Sequence, residues 1–85
     1  MLKKVLVAMD GSERAERALW WATQYAGREK AMVVLFRAVE TTNLDRASIQ
    51  SLLTDARHYL QRMETEINQF GLPSKVIVRR GTPAS

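Results

Sequence analysis

The sequence predicts an α/β fold in which three parallel strands alternate with two helices. Short apolar runs rich in β-branched residues are typical of buried strands, and they are separated by segments whose apolar residues recur every three or four positions, which is typical of helices. Strand–helix–strand connections give parallel strands with right-handed crossovers, so we expect the strand order 3-2-1 in an open sheet. A chain of 85 residues has room for one domain.

The first strand is predicted at residues 5–9, where a continuous apolar run indicates burial on both faces of a parallel sheet. Ser12 is suited to cap the N-terminus of the helix that follows, and Gly27 is suited to end it. The helix has one apolar stripe, made mostly of alanine, which allows close approach to the sheet: Ala15, Ala18, Leu19, Ala22 and Ala26.

The second half of the chain repeats the alternation. A fully apolar strand is predicted within residues 31–38, then an irregular loop over 40–47 and a helix that begins near Ser48. Gly71 and Pro73 end that helix, and residues 75–79 form the third strand. Thr82 and Pro83 suit the start of a further helix.

The amino-acid composition excludes several kinds of functional site. The chain has no cysteine and one histidine, so disulfides, cysteine-based metal sites and histidine-rich metal sites are excluded, and we expect no metal ligand set. The 13 basic residues are scattered among 9 acidic ones with no aromatic interleaving, so no nucleic-acid surface is predicted. The apolar runs are too short to span a membrane. The N-terminus does not resemble a secretory signal, and a cytoplasmic location is expected.

Asp10 is the best candidate for a functional residue. It follows the first strand directly, and ligands of open α/β sheets bind outside the carboxyl ends of strands, where the strand order reverses. A carboxylate at that point can accept hydrogen bonds from ribose hydroxyls. The alternative is that Asp10 only stabilises a turn with Gly11 and Ser12. With one glycine, the turn is neither a P-loop nor a dinucleotide-binding fingerprint.

Other chemistries have less support. His58 is expected on the solvent side of the second helix, and a catalytic triad would depend on it. A phospho-acceptor receiver domain is rejected because the third strand ends in Arg79 and Arg80 rather than in an acid. Nucleotide hydrolysis is the weakest hypothesis, because Asp10 has no base or metal cluster beside it. Trp20 and Trp21 flank the alanine stripe, so at least one is expected to be exposed or covered by a partner.

Three segments resemble the universal stress protein family. The run KKVLVAMDGSE at residues 3–13 is similar to the family's first strand and turn, and Ala15, Ala18 and Leu19 match its first helix. Residues 33–39 resemble the second strand, with Arg37 where a histidine is common. Residues 76–83 resemble the third strand and the Gly-x-Pro entry to the next helix. The resemblance therefore covers the whole chain.

The resemblance implies a Rossmann-like fold of the adenine nucleotide alpha hydrolase type, with strand order 3-2-1-4-5 in complete members, many of which bind ATP. It implies that Asp10 contacts the nucleotide ribose and that Ala8, Met9 and Ala38 line the adenine pocket. The family's phosphate site, a Gly-x-x-Gly loop followed at a distance by Gly-Ser or Gly-Thr, lies beyond the third strand. Residues 1–85 are thus expected to be a partial, truncated universal stress protein domain in which ATP binding is weak or lost.

The resemblance also implies a role in regulation of the stress response rather than in catalysis. In the order 3-2-1 one edge of the first strand is unpaired, and such an edge favours association with another chain. We expect the chain to form a homo-oligomer (a dimer) or to pair with another chain through this edge, and pairing of two first strands across a twofold axis is one way to do so. The alternative function is a structural or interaction module that dimerises through this edge and binds no ligand.

Overall fold

A computed structural model describes residues 3–81 of the chain. The elements are β1 (Lys4–Ala8), α1 (Glu13–Glu29), β2 (Met32–Val39), α2 (Arg46–Gln69) and β3 (Ser74–Arg80). The strands form one parallel sheet with β2 between β1 and β3. The predicted α/β class and the strand order 3-2-1 are confirmed. The helix predicted to begin at Thr82 and Pro83 lies outside the described residues.

The core lies between one face of the sheet and the two helices. Register places Val7 beside Leu35, and Leu35 beside Val76, so these side chains share that face. The two helices lie side by side over it, joined by a 2.8 Å hydrogen bond from the Tyr59 hydroxyl to Glu16 Oε2. The buried core cluster contains apolar residues from all elements except β3: Val7, Met9, Ala15, Leu19, Ala26, Ala31, Val33, Leu35, Leu60 and Ile67.

The opposite side of the sheet is here called the open face. It is formed by the residues of alternate parity on the three strands: Lys4, Leu6, Ala8, Met32, Val34, Phe36, Ala38, Lys75, Ile77 and Arg79. The prediction that the first strand is buried on both faces is wrong, because Leu6 is 66% exposed. Both described helices pack on the other side, and β1 lies at an edge. Val34 is buried on the central strand, where neighbouring side chains surround it.

The N-terminus of α1 is as predicted, and its C-terminus is not. The Ser12 hydroxyl accepts a hydrogen bond from Ala15 N at 3.1 Å. The helix passes through Gly27 and ends at Glu29, and Lys30 takes the left-handed conformation of the C-cap with φ +55°. Ala31 N then donates to Ala26 O at 3.0 Å. Since Ala26 and Ala31 are both fully buried, packing rather than the glycine decides where the chain turns back.

Helix α2 begins two residues before the predicted Ser48. Asp45 is its N-cap, and its carboxylate accepts a hydrogen bond from Ser48 N at 2.7 Å. These interactions with Ser48 hold the pKa of Asp45 below its usual value. At 1.5 Å per residue a helix of 24 residues is about 36 Å long, which exceeds the length of any strand here. Leu60, near the middle of the helix, is buried, whereas Leu52 and Phe70, nearer its two ends, are exposed.

Two tryptophans and the histidine lie on the outer surfaces of the helices. Trp20 and Trp21 are 54% and 72% exposed, which agrees with the expectation that at least one tryptophan is not packed. His58 is exposed, as predicted. Within residues 3–81, neither helix has the length and apolarity needed to cross a membrane.

Candidate functional site

The turn after β1 has a fixed geometry. Met9 N donates to Phe36 O at 2.7 Å, so the chain remains paired with β2 until Asp10. Gly11 then adopts φ +87°, a conformation that favours glycine because it has no Cβ. Ser12 N donates to Asp10 Oδ1 at 2.9 Å. The turn therefore holds Asp10 at the carboxyl edge of the sheet, directly before the N-terminus of α1.

The four residues predicted to bind nucleotide lie around one cavity, here called the β1–β2 cavity. Its volume is about 290 Å³, and its walls come from the carboxyl ends of the two adjacent strands: Ala8, Met9, Asp10, Phe36, Arg37 and Ala38. Ala8 and Ala38 lie on the open face, where their short side chains leave room for a ligand. The structure thus brings the four residues together. Their contacts with a nucleotide stay a prediction.

The electrostatics of the cavity are set by Asp10. Hydrogen bonds from Ser12, with a smaller contribution from the charge of Arg37, hold the pKa of the Asp10 carboxyl below its usual value. It is therefore ionised at neutral pH and can only accept hydrogen bonds. A carboxylate offers about four acceptor sites, so Asp10 can stabilise the turn and also accept from a ligand hydroxyl. Among residues 3–81 no three His, Cys, Asp or Glu side chains are grouped to hold a metal ion.

Two residues of the cavity were not anticipated from the sequence. Phe36 pairs with Ala8 in the parallel register, so its ring lies on the open face beside that alanine. The signal was present, because Phe36 and Ala38 are two positions apart on one strand and share a face. Arg37 points to the opposite face, and its Nη1 is 3.5 Å from the position that a Cβ would take on Gly11. No local sequence pattern predicts that Arg37 lies close to Gly11.

Comparison with known proteins identifies one matching family and two similar solved structures. The model of the universal stress protein family matches residues 1–85. A crystal structure of a universal stress protein family member from Burkholderia pseudomallei aligns with a TM-score of 0.80 and 23% identity, covering 93% of this chain and 63% of that one. The universal stress protein UspA from Lactobacillus plantarum aligns with a TM-score of 0.74 and 18% identity, covering 95% and 62%. No curated protein matches the sequence.

The chain spans less than two thirds of the length of either solved structure. At these identities the structural likeness shows the shared Rossmann-like fold, in which the parallel sheet and its two helices superpose. The family match extends over every residue of the sequence, including the strand and turn that carry Asp10. The chain therefore belongs to the universal stress protein family.

Proposed function

We propose that the chain is a nucleotide-binding regulatory protein of the stress response, and that its β1–β2 cavity holds the adenosine part of ATP. The observation that carries the proposal is the meeting of Ala8, Met9, Asp10 and Ala38 around one cavity. The cavity lies at the carboxyl edge of an open parallel sheet, where α/β proteins bind ligands. Its role is binding rather than catalysis.

Each wall of the cavity has a function in this proposal. The Asp10 carboxylate accepts hydrogen bonds from the ribose hydroxyls, and charged acceptors form the stronger hydrogen bonds. Ala8 and Ala38 form the apolar surface against which the adenine ring packs, and Phe36 extends it. Met9, which is buried in the core, lines the cavity behind them. A volume of about 290 Å³ is at the low end for small-molecule sites, roughly 300 Å³, which suits a nucleoside better than a complete triphosphate.

We further propose that the triphosphate adds little to binding in this chain. Arg37 is the cation among the residues that line the cavity, and its guanidinium lies against Gly11 on the side of the sheet that faces the helices. The resemblance to the family places the phosphate ligands in a loop beyond the third strand. Adenosine and ATP should therefore bind with similar, weak affinities.

Asp10→Asn should weaken adenosine binding by about tenfold, because it replaces a charged acceptor with a neutral one. Asparagine keeps the oxygen that accepts from Ser12 N, so the turn is preserved. Binding is followed by titration of the ¹⁵N-labelled chain, read at the amides of Ala8 and Ala38. Removing one ribose hydroxyl, as in 2′-deoxyadenosine, should weaken binding to the native chain and have little further effect on the variant.

The matched control for this substitution is Glu66→Gln, which neutralises an exposed carboxylate near the other end of α2. It should bind adenosine as the native chain does. Two results would contradict the proposal: no adenosine-dependent shifts at Ala8 and Ala38 in the native chain, or equal affinities of the Asp10→Asn and native chains.

A second function is favoured by the edge of the sheet. β1 has β2 on one side and no described strand on the other, and its Leu6 side chain is 66% exposed. An edge of this kind pairs readily with another strand. In this alternative the chain is an interaction module that dimerises through β1 without a ligand. For either function we propose a cytoplasmic location.

A further inference from the structure

We infer that Arg37 and Tyr59 are positioning residues for the turn that carries Asp10. The inference begins with the location of Arg37 in the sheet. In register it pairs with Val78 and shares the helix-facing side with buried Leu35, where an apolar residue would be expected. Its guanidinium reaches the underside of the turn, with Nη1 3.5 Å from the Cβ position of Gly11. An arginine at this point supports the turn from below.

Tyr59 holds that guanidinium in place. Arg37 Cζ lies 5.6 Å from the centroid of the Tyr59 ring, within the distance of about 6 Å at which a cation is attracted to an aromatic face. Arg62 Cζ is 5.8 Å from the same centroid. The Tyr59 ring on α2 therefore lies near two cations that favour its orientation. Of these two, Arg37 is the one whose guanidinium also lies close to the turn.

The hydroxyl end of Tyr59 is anchored on α1. It donates to Glu16 Oε2 at 2.8 Å, and Glu16 lies in the first turn of the helix that Ser12 caps. Burial and the hydrogen bond to Glu16 raise the pKa of Tyr59 to about 12, so the phenol remains a donor at neutral pH. The turn and the start of α1 are thus connected through one ring on a different helix.

The consequence concerns the geometry of the proposed site. The Asp10 carboxylate is fixed relative to β2 by the turn at Gly11 and Ser12, and the Arg37 guanidinium lies close to the inner side of that turn. Loss of the guanidinium, or of the ring that orients it, leaves the turn free to shift. Tyr59, a residue of α2 that does not line the cavity, therefore supplies part of the support for the turn that carries Asp10.

The first test needs no ligand and so does not depend on the proposed function. Arg37→Ala and Tyr59→Leu should both shift the Gly11 and Ser12 amide resonances in the ¹⁵N–¹H spectrum. Tyr59→Phe keeps the ring and loses only its anchor on Glu16, so it should shift those resonances less than Tyr59→Leu does. The control Arg57→Ala, which removes an exposed arginine on α2, should leave them unchanged. If Arg37→Ala fails to fold by circular dichroism, the comparison of Tyr59→Leu with Tyr59→Phe decides.

The second test measures adenosine affinity and rests on the proposed function. Arg37→Ala and Tyr59→Leu should each weaken binding by about fivefold. The double variant should bind no more weakly than Arg37→Ala alone, because the two residues act through one contact. Arg57→Ala should bind as the native chain does, and Tyr59→Phe, which keeps the ring, should bind more tightly than Tyr59→Leu.

The outcomes separate the two claims. If the native chain binds no adenosine, the proposed function is wrong, and the Gly11 and Ser12 resonances still decide whether Arg37 and Tyr59 position the turn. Unchanged resonances in folded Arg37→Ala and Tyr59→Leu would overturn the inference. Losses of affinity that simply add in the double variant would overturn it as well.

Discussion

Leu60→Ala should remove about half or more of the chain's free energy of unfolding. Leu60 lies on α2, is 0% exposed and belongs to the buried core cluster. Truncating a buried leucine costs about 2–5 kcal/mol, because apolar contacts are lost and a cavity remains. A domain of this length is expected to have about 5 kcal/mol in total. The midpoint of urea denaturation, followed by far-ultraviolet circular dichroism, should fall accordingly.

Leu52→Ala is the matched control, since it makes the same chemical change on the same helix. Leu52 is 41% exposed, so its truncation leaves no closed cavity and should cost less than about 1 kcal/mol. Both variants are compared at one protein concentration, because self-association would add to the apparent stability. Equal losses for the two leucines would contradict the packing of α2 on the sheet described above.

Leu6→Pro should abolish dimerisation through β1 while preserving the monomer. Two hydrogen bonds show how the backbone of β1 is oriented: Met32 N donates to Lys3 O at 2.8 Å, and Met9 N donates to Phe36 O at 2.7 Å. Alternate residues of a parallel strand pair with the same neighbour. The backbone groups of Val5 and Val7 therefore face β2, and those of Leu6 face the free edge. Proline is tolerated where the missing N–H would point away from the sheet.

Sedimentation velocity at micromolar concentration measures the effect. The native chain should sediment as a dimer and Leu6→Pro as a monomer with native circular dichroism. Leu6→Ala is the control, because it removes the same exposed side chain and keeps the edge N–H, and it should remain dimeric. A native chain that is monomeric in this experiment would refute the edge-pairing proposal. Equal dimerisation of Leu6→Pro and Leu6→Ala would also refute pairing through backbone hydrogen bonds.

The outline of the fold could be predicted because it depends on local patterns. Apolar runs, helical spacing and the Ser12 cap are properties of neighbouring residues, and each led to an element that the structure contains. Boundaries were less accurate, because packing decides one of them and a local cap that the prediction did not use decides the other. Helix α1 passes through Gly27 because burial of Ala26 and Ala31 sets the turn, and α2 begins before Ser48 because Asp45 caps it.

The candidate site, like the fold, could be predicted only in part. Asp10 was found from its place at the end of a strand, and the resemblance to the family supplied Ala8, Met9 and Ala38. Phe36 could have been found from its alternation with Ala38. Arg37 could not, because its partner Tyr59 belongs to another element, and the Tyr59 hydroxyl bonds Glu16 at a separation of 43 positions. No pattern within one strand or helix reports such a contact.

By itself the sequence determined the α/β class, the parallel order of the strands and the position of Asp10, since hydrophobic periodicity and turn chemistry act over a few residues. The tertiary structure alone decided which side of the sheet is covered. Both described helices pack on one face, which buries Val7 and leaves Leu6 exposed although the two are adjacent and equally apolar. It also decided that the Tyr59 ring lies against the Arg37 guanidinium, because only packing of α2 against the sheet brings the ring there.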